Sequence, residues 1–565
     1  MPSPTGSSEG LDVATRPWVP YDRCWRWKRH DAYFAQRGIG AWLDGEVPHR
    51  ATNNQAFAHQ HAVLLLELVR ALTAERILPE HASIQLLEVG GGLGGFAARL
   101  LLALREHLGA PGRALFERLT YLFSDVSEVS LRQAAETTAL APFVASGRLV
   151  PVLFDAREPA SLRTLAGVPL SAEPLLVVAN YVCCVLPTKV LRKHGPQWRE
   201  LYVPPEPEPV APTAPEGDTQ PPTGWDELLG AHAWRPVALG EVFADGAHAE
   251  ILERTAAAST EVELAYPYAF IELLAGLWRR MHPRGMLLCS DFADQSCAGA
   301  IGGDARCPIL YGDSINHPVC FPLLTAAAAQ QGCELLDSGD WHGITRTLLT
   351  SRGHPLPEPV CGAFDRGFVS TNAGQDRLDF EAAARALDEY GDHRRALLFF
   401  DRCLRLDPSA PELYAQAGMC CRKWGKLELA LRYLRQGEAS VRLRPYDFAL
   451  PIGELLLQLG DAAAARQHFE ASLRSGEDAT KYLLLGQAHE RLGDRASAYL
   501  AYRRALTLEP ECAPVQQALL ELRTAWCNAE LDLDAVAERW WADKVRALES
   551  ALANGGKHEV QTLPR

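Results

Sequence analysis

The sequence predicts a doubly wound α/β domain followed by an all-α array of helical repeats. Three observations predict it. Short apolar runs alternate with helical text over residues 81–352, a glycine-rich turn joins the first run to the next helix, and a period of 33 to 35 residues governs residues 378–525.

The apolar runs are "IQLLEVG", "LTYLFSD", "RLVPVLFD", "PLLVVAN" and "GMLLCSDF". Each is continuously apolar, as strands covered on both faces must be, and helical text separates most of them. Between the fourth and fifth runs lies the Pro-rich, acidic stretch 203–224. It cannot build a core element and is expected as a mobile or extended surface insertion.

Residues 18–80 are expected as a helical cap on this domain. They contain the aromatic and basic "WRWKRHDAYF", the polar turn "PHRATNN" and the amphipathic "QAFAHQHAVLLLELVRAL". The first of these could contact RNA or pack as an amphipathic helix on the sheet. Residues 1–17 have no charged region followed by an apolar stretch, and they read as a disordered leader. Residues 353–377 read as a linker.

Over residues 378–525 one register repeats four times. Glycines that close a helix stand at Gly391, Gly425, Gly460 and Gly493. Five positions later come Ala396, Ala430, Ala465 and Ala498, and four beyond those come Phe400, Leu434, Phe469 and Tyr502. Seven before each glycine lie Ala384, Gly418, Gly453 and Gly486. Small residues let paired helices approach and the large one fills the next groove. This pattern resembles the tetratricopeptide repeat. The resemblance implies a solenoid whose concave face binds a peptide or partner protein. Residues 526–565 read as a capping helix and tail.

The composition limits the possible functions. At 565 residues the chain is too long for one core, and 47% hydrophobic with 22% charged residues is the profile of a folded protein. A formal net charge of −14 weighs against general nucleic-acid binding, which depends on Lys and Arg at phosphates. No apolar run is long enough to predict a membrane span. The 14 cysteines form no CxxC pair. They read as reduced, mostly buried thiols of a cytoplasmic protein, with no metal site expected.

The chemistry rests on "LLEVGGGLGGFAARLLLAL", where a strand ends, glycines follow and a helix begins. Glycines let a ligand approach the backbone, and the helix presents its first amides there. Gly90, Gly92 and Gly95 fit the dinucleotide pattern G-x-G-x-x-G; Glu88, Gly90, Gly92 and Gly94 fit the E-x-G-x-G-x-G of S-adenosylmethionine (SAM) sites. The later strand ends favour SAM. The second run ends in Asp125, suited to ribose hydroxyls; the third in Asp155, suited to an adenine amino group; the fourth in Asn180. A nicotinamide or flavin dinucleotide and an empty, decayed site are the competing readings.

Several stretches resemble the MidA-like SAM-dependent methyltransferases, over residues of about 50–350. They are "LTYLFSDVSEVSLRQA", "VVANYVCCVLP", "PQWRELYV", "GMLLCSDF" and, more loosely, "YGDSINHPVCFPLL". The resemblance implies a class I, Rossmann-like methyltransferase fold with SAM as cofactor. Some members methylate a protein arginine. Asn180, Leu186 and Pro187 match the family's fourth-strand motif, but Tyr181 and Cys184 stand where it has Glu and Asp. Without those acids nothing there grips a guanidinium, which argues against arginine as acceptor.

The expected cofactor contacts are therefore Glu88, Gly90, Gly92, Gly94, Asp125, Asp155 and Asn180. Asn180 would touch the methionine part or the acceptor. Tyr181, Asp291 and His317 are the other catalytic candidates, with His317 as general base. Thr52, Asn53, Asn54 and Gln60 are weaker candidates for acceptor or cofactor contacts, because they precede a helix that often closes over SAM in such folds. Cys183 and Cys184 read as core. Two functions follow: methyl transfer to a peptide or protein captured by the repeats, or an interaction scaffold with an inactive methyltransferase-like domain.

Overall fold

The computed structural model describes residues 17–48, 51–170, 172–205, 225–229, 231–257, 259–292, 308–339, 346–370, 373–440 and 446–527. The leader, nearly all of the Pro-rich insertion and almost all of the C-terminal capping segment lie outside these residues. Two compact units result. One runs to Ala382 and takes in Arg405–Ser409; the other holds most of the C-terminal helices.

The first unit is built on an eight-stranded sheet. Five parallel strands lie in the order Met286–Asp291, Leu176–Asn180, Ile84–Val89, Leu119–Asp125, Leu149–Leu153. Arg346–Arg352 adds antiparallel to Met286–Asp291, Cys333–Asp337 lies outside it, and the short Arg163–Thr164 closes the other edge. All five predicted runs are strands, and together they form the doubly wound centre. Their continuous apolarity has the expected cause. Leu86 and Tyr121 face one core with the helix Gln55–Ala74, and Leu87 and Leu122 face a second core with Tyr268–Trp278.

A second, antiparallel sheet arises from the chain between the fourth and fifth central strands. Gln197–Val203 pairs with Lys189–His194, Ala233–Val237 and Val19–Pro20, and Lys189–His194 pairs with Glu261–Tyr266. The stretch "PQWRELYV" acquires a structural role here. Glu200 accepts from the buried Lys189 ammonium at 2.8 Å, and Asp22 lies 3.2 Å from the same nitrogen.

The stretch "WRWKRHDAYF" begins the helix Trp25–Arg37, which buries Trp25, Trp27 and His30. Arg26 and Arg29 lie over the Trp25 ring, at 4.5 and 4.8 Å from its centroid. Its tryptophans are therefore used for packing, and the RNA-contact alternative loses the aromatic faces it needs.

The second unit is the repeat array. Helix pairs Pro411–Lys423 with Leu427–Ser440, Ala449–Gln458 with Ala462–Leu473, and Ala479–Arg491 with Arg495–Leu508 follow the predicted register. A Cβ at Gly418 would stand 2.8 Å from Leu434, and one at Gly453 would stand 2.6 Å from Phe469. The small and large positions of the sequence pattern are thus touching partners. The turn glycines Gly425 and Gly460 have φ of 75° and 89°, which a side chain opposes. Between the first two repeats, His393 Nδ1 lies 2.8 Å from Asp388, Lys423 Nζ lies 2.5 Å from the same carboxylate, and Cys420 lies beside them.

No helix among the described residues is long and apolar enough to cross a membrane.

Candidate functional site

A cavity opens at the carboxyl ends of Ile84–Val89 and Leu176–Asn180. These neighbours mark the point where the strand order turns from one direction to the other, the usual ligand crevice of open α/β sheets. Glu88, Gly90, Gly92, Asp125, Asp155, Asn180, Tyr181, Thr52 and Asn53 all line it. Positions spread over more than a hundred residues of chain are therefore brought to one cavity.

The glycine loop is fixed from below by the second strand. Asp125 accepts hydrogen bonds from the Gly92 N–H at 3.1 Å and the Ser127 N–H at 2.9 Å. Ser127 caps the helix Glu128–Ala135, accepting from the Ser130 N–H, so Asp125 is not that helix's N-cap. A Cβ at Gly91 would enter the ring of Phe123, and one at Gly92 would stand 3.2 Å from Trp42. Gly92 also has a φ of 51°, so the cradle needs glycine both for its conformation and for its space.

Glu88 is buried, and Tyr121 donates its hydroxyl to Oε2 at 2.9 Å. Burial outweighs that bond and pushes the Glu88 carboxyl up to about 8. Burial also raises Asp125. A cationic ligand would supply the charge that these two acids lack. An activated sulfonium with its ammonium group fits that requirement.

Asp155 is committed differently. Arg157 Nε and Nη2 each donate to it at 2.9 Å, and its own Nη1 reaches Asp31 at 2.7 Å. The guanidinium holds Asp155 below the usual carboxylate range despite partial burial. Asp155 thus reaches the cavity wall but is already occupied by Arg157. Asn53 is likewise occupied, accepting from Arg99 at 2.6 Å.

The opposite wall is the end of the fourth central strand. Asn180 ends it with both amide atoms, Nδ2 and Oδ1, buried and without a partner among the described residues. Tyr181 follows with a φ of 54°, a left-handed conformation that a bulky residue rarely adopts. Its N–H donates to Ser290 O at 2.8 Å, and its ring stacks on Phe292 with centroids 6.3 Å apart. The turn Cys183–Val185 follows, and Val185, Leu186 and Pro187 continue the cavity wall.

Five candidates stand off this cavity. Asp291 is fully buried and accepts from the backbone of Cys184 and Phe292, so it holds the turn and does not meet a ligand. His317 is also buried; its Nε2 is 3.0 Å from the Tyr21 hydroxyl, and desolvation pulls it down to about 3. It is neutral and enclosed, so it has no path to serve as general base. Gly94 caps the helix Gly95–Leu102 with a left-handed backbone, and a Cβ there would strike Leu140. Gln60 packs beside Gly367. Asn54 is also internal, capping the helix Gln55–Ala74 through the Phe57 N–H. Cys183 and Cys184 are buried, as expected of core thiols.

Sequence reasoning missed the near wall. His30, Asp31, Phe34 and Trp42 reach the cavity from the N-terminal cap, with Phe34 and Trp42 stacked at 5.3 Å. His30, Asp31 and Phe34 lie on the helix Trp25–Arg37 and Trp42 on the next, Gly40–Leu43, but nothing in their sequence told a buried core face from a ligand wall.

Comparison with known proteins agrees with this geometry. Residues 62–301 match a family model described as "putative S-adenosyl-L-methionine-dependent methyltransferase", and residues 482–512 match the tetratricopeptide repeat. No curated protein matches. Among solved structures, a candidate methyl transferase from Burkholderia thailandensis, bound to S-adenosyl-homocysteine, is 18% identical with a TM-score of 0.37. That match covers 62% of this chain and 91% of the other. MamA from Desulfovibrio magneticus RS-1 is 22% identical with a TM-score of 0.25, over 31% of this chain and 96% of its own. YrrB, a tetratricopeptide-repeat protein, is 19% identical with a TM-score of 0.26, over 33% of this chain and 97% of its own.

Residues 62–301 thus match a putative S-adenosyl-L-methionine-dependent methyltransferase model, and a tetratricopeptide-repeat match follows them in the chain. The family's cofactor is S-adenosyl-L-methionine, and the glycine cradle with its two acids is the part of this chain suited to it.

Proposed function

We propose that this protein transfers the methyl group of S-adenosyl-L-methionine to a peptide or protein captured by its repeats. One observation carries the reading most directly. The Gly92 amide is held on Asp125 in a glycine loop that would admit no side chain, beside the buried Glu88.

Bound there, the cofactor supplies a methyl group already activated on a sulfonium. The chain's task is then to hold, orient and dry the reactants. Gly90, Gly92, Glu88 and Asp125 would hold the cofactor. Trp42 and Phe34 would exclude water from its open side. Asn180 and Tyr181 would position the acceptor against the methyl group. The repeats supply the reason for a macromolecular acceptor, since stacked helix pairs of this kind present an extended surface to peptides.

Calorimetric titration with S-adenosyl-homocysteine, together with a labelled-methyl assay on lysate from cells lacking the protein, tests the proposal. Binding plus a labelled protein band supports it. No binding, or binding indifferent to Gly92→Asp, contradicts it.

A scaffold reading is favoured by one observation, the replacement of the two acids by Tyr181 and Cys184. It predicts cofactor binding with no labelled product.

A further inference from the structure

The acceptor wall carries one unusual feature. Both polar atoms of the Asn180 amide are buried at the cavity, and neither has a partner among the described residues. A buried amide left in that state has given up its bonds to water for nothing in return, so a ligand that satisfies both atoms gains accordingly.

The chemistry of that ligand follows from the donor set. Nδ2 donates and Oδ1 accepts, side by side on one planar group. A guanidinium or an ammonium has donors only and satisfies Oδ1 alone. A carboxylate has acceptors only and satisfies Nδ2 alone. A hydroxyl carries donor and acceptor on a single atom, and a neutral imidazole carries them on different ring edges, so neither spans the pair. A trans peptide unit points its N–H and C=O in opposite directions. Among the side-chain groups that a captured protein offers as acceptors, a primary carboxamide matches both at once.

The charges around the cavity agree. Its acids are Asp31, Glu88, Asp125 and Asp155. Asp31 and Asp155 share Arg157, and Glu88 and Asp125 lie with the glycine loop. His30 is held neutral by burial, at about 4, and its Nδ1 accepts from the Ile315 N–H. Beside Asn180 the wall continues as Tyr181, Val185, Leu186 and Pro187, with no charge to grip a cation.

We infer that the acceptor group is a side-chain carboxamide, a glutamine or asparagine of the captured chain, paired head to head with Asn180. This rests on the methyl-transfer reading above. The pairing uses the acceptor's C=O and one N–H, and leaves the other N–H of its nitrogen facing the cleft. Accepting the first N–H on Oδ1 raises electron density on that nitrogen. Its lone pair forms the new N–C bond to the methyl carbon. The C–S bond breaks with its electron pair left on sulfur, giving a neutral thioether. One nitrogen-bound proton then passes to water, and the product is an N-methyl amide. Tyr181 and the apolar turn exclude competing water from the amide pair.

The test uses the full-length protein with methyl-tritiated S-adenosyl-L-methionine and a lysate from cells lacking it. Labelled protein is hydrolysed in strong acid. The expected result is label released as methylamine, the hydrolysis product of an N-methyl carboxamide. Label recovered as methylarginine, methyllysine or methylhistidine, or released as methanol by mild base, overturns the carboxamide while leaving methyl transfer intact. No label from a protein that binds S-adenosyl-homocysteine overturns the methyl-transfer reading itself. As a second readout, Asn180→Ala should keep S-adenosyl-homocysteine affinity within about threefold and lower labelling by about tenfold or more, the worth of the lost pair of hydrogen bonds. A tenfold loss of S-adenosyl-homocysteine affinity instead would place Asn180 on the cofactor and overturn the assignment.

Discussion

The carboxylate of Asp291, at the end of the fifth central strand, accepts the backbone N–H of Cys184 at 3.1 Å. It also accepts the Phe292 N–H at 2.9 Å, and the Cys184 thiol bonds to it. One buried acid thus fixes the turn that follows Asn180 along the cavity wall, and the Cys184 thiol serves that turn.

Burial drives Asp291 up to about 7 from an ordinary value of 3.8. Its folded-state value lies above its unfolded one, so its contribution to stability is full below about pH 4 and is lost as pH rises through 7. Asp291→Asn keeps an acceptor oxygen and should flatten that loss. Asp291→Ala leaves two buried N–H groups unpaired and should cost about 1–3 kcal/mol. Thermal melts of the three proteins between pH 4 and 8 check both.

Glu88 titrates by the same rule over a higher window. Its carboxyl rises from 4.5 to about 8, so stability from this group declines as pH climbs through that interval. Ligand binding should show the opposite sign. A cationic ligand favours the carboxylate, so the affinity for SAM should rise with pH up to about 8 and bring proton release with it. Calorimetry in buffers of different ionisation enthalpy reads that proton. Glu88→Gln should abolish both the release and the slope.

Substitution in the cradle should separate folding from binding. Gly91→Ala drives a methyl group into the Phe123 ring and should destabilise the domain by about 1–3 kcal/mol. Trp42→Ala removes a ring that covers Gly92 but sits at the cavity edge. It should weaken S-adenosyl-homocysteine binding with little effect on the melting temperature. A large loss of stability with unchanged binding would contradict the role given to Trp42.

In the second unit, Gly453→Val should collide with Phe469, whose ring a Cβ would already approach to 2.6 Å. Overpacking of this kind costs about 1–3 kcal/mol. Circular dichroism at the helix band should show the repeat helices melting earlier.

The five central strands and the repeats were legible because their residue patterns are local and periodic. "PLLVVAN" has to be a buried strand, and Gly453, seven residues before the turn glycine Gly460, has to face a neighbour in a tight helix pair. The cavity lining was legible where strand ends bring polar residues together, as at Glu88, Asp125 and Asn180. It was not legible where burial decides. His317 and Asp291 have the right chemistry but lie beneath the wall, enclosed by Tyr21, Trp27 and the turn after Asn180. Nor does any sequence pattern reveal that Tyr181 takes a left-handed backbone, or that Arg157 occupies Asp155.

The central claim is that the glycine cradle beside Glu88 and Asp125 binds the cofactor. Calorimetric titration of the full-length protein with S-adenosyl-homocysteine tests it most directly, run in parallel with Gly92→Asp. The account predicts saturable binding at one site in the parent and none in the variant, with both proteins folded. Equal heats from the two, or none from the parent at millimolar ligand, would contradict it.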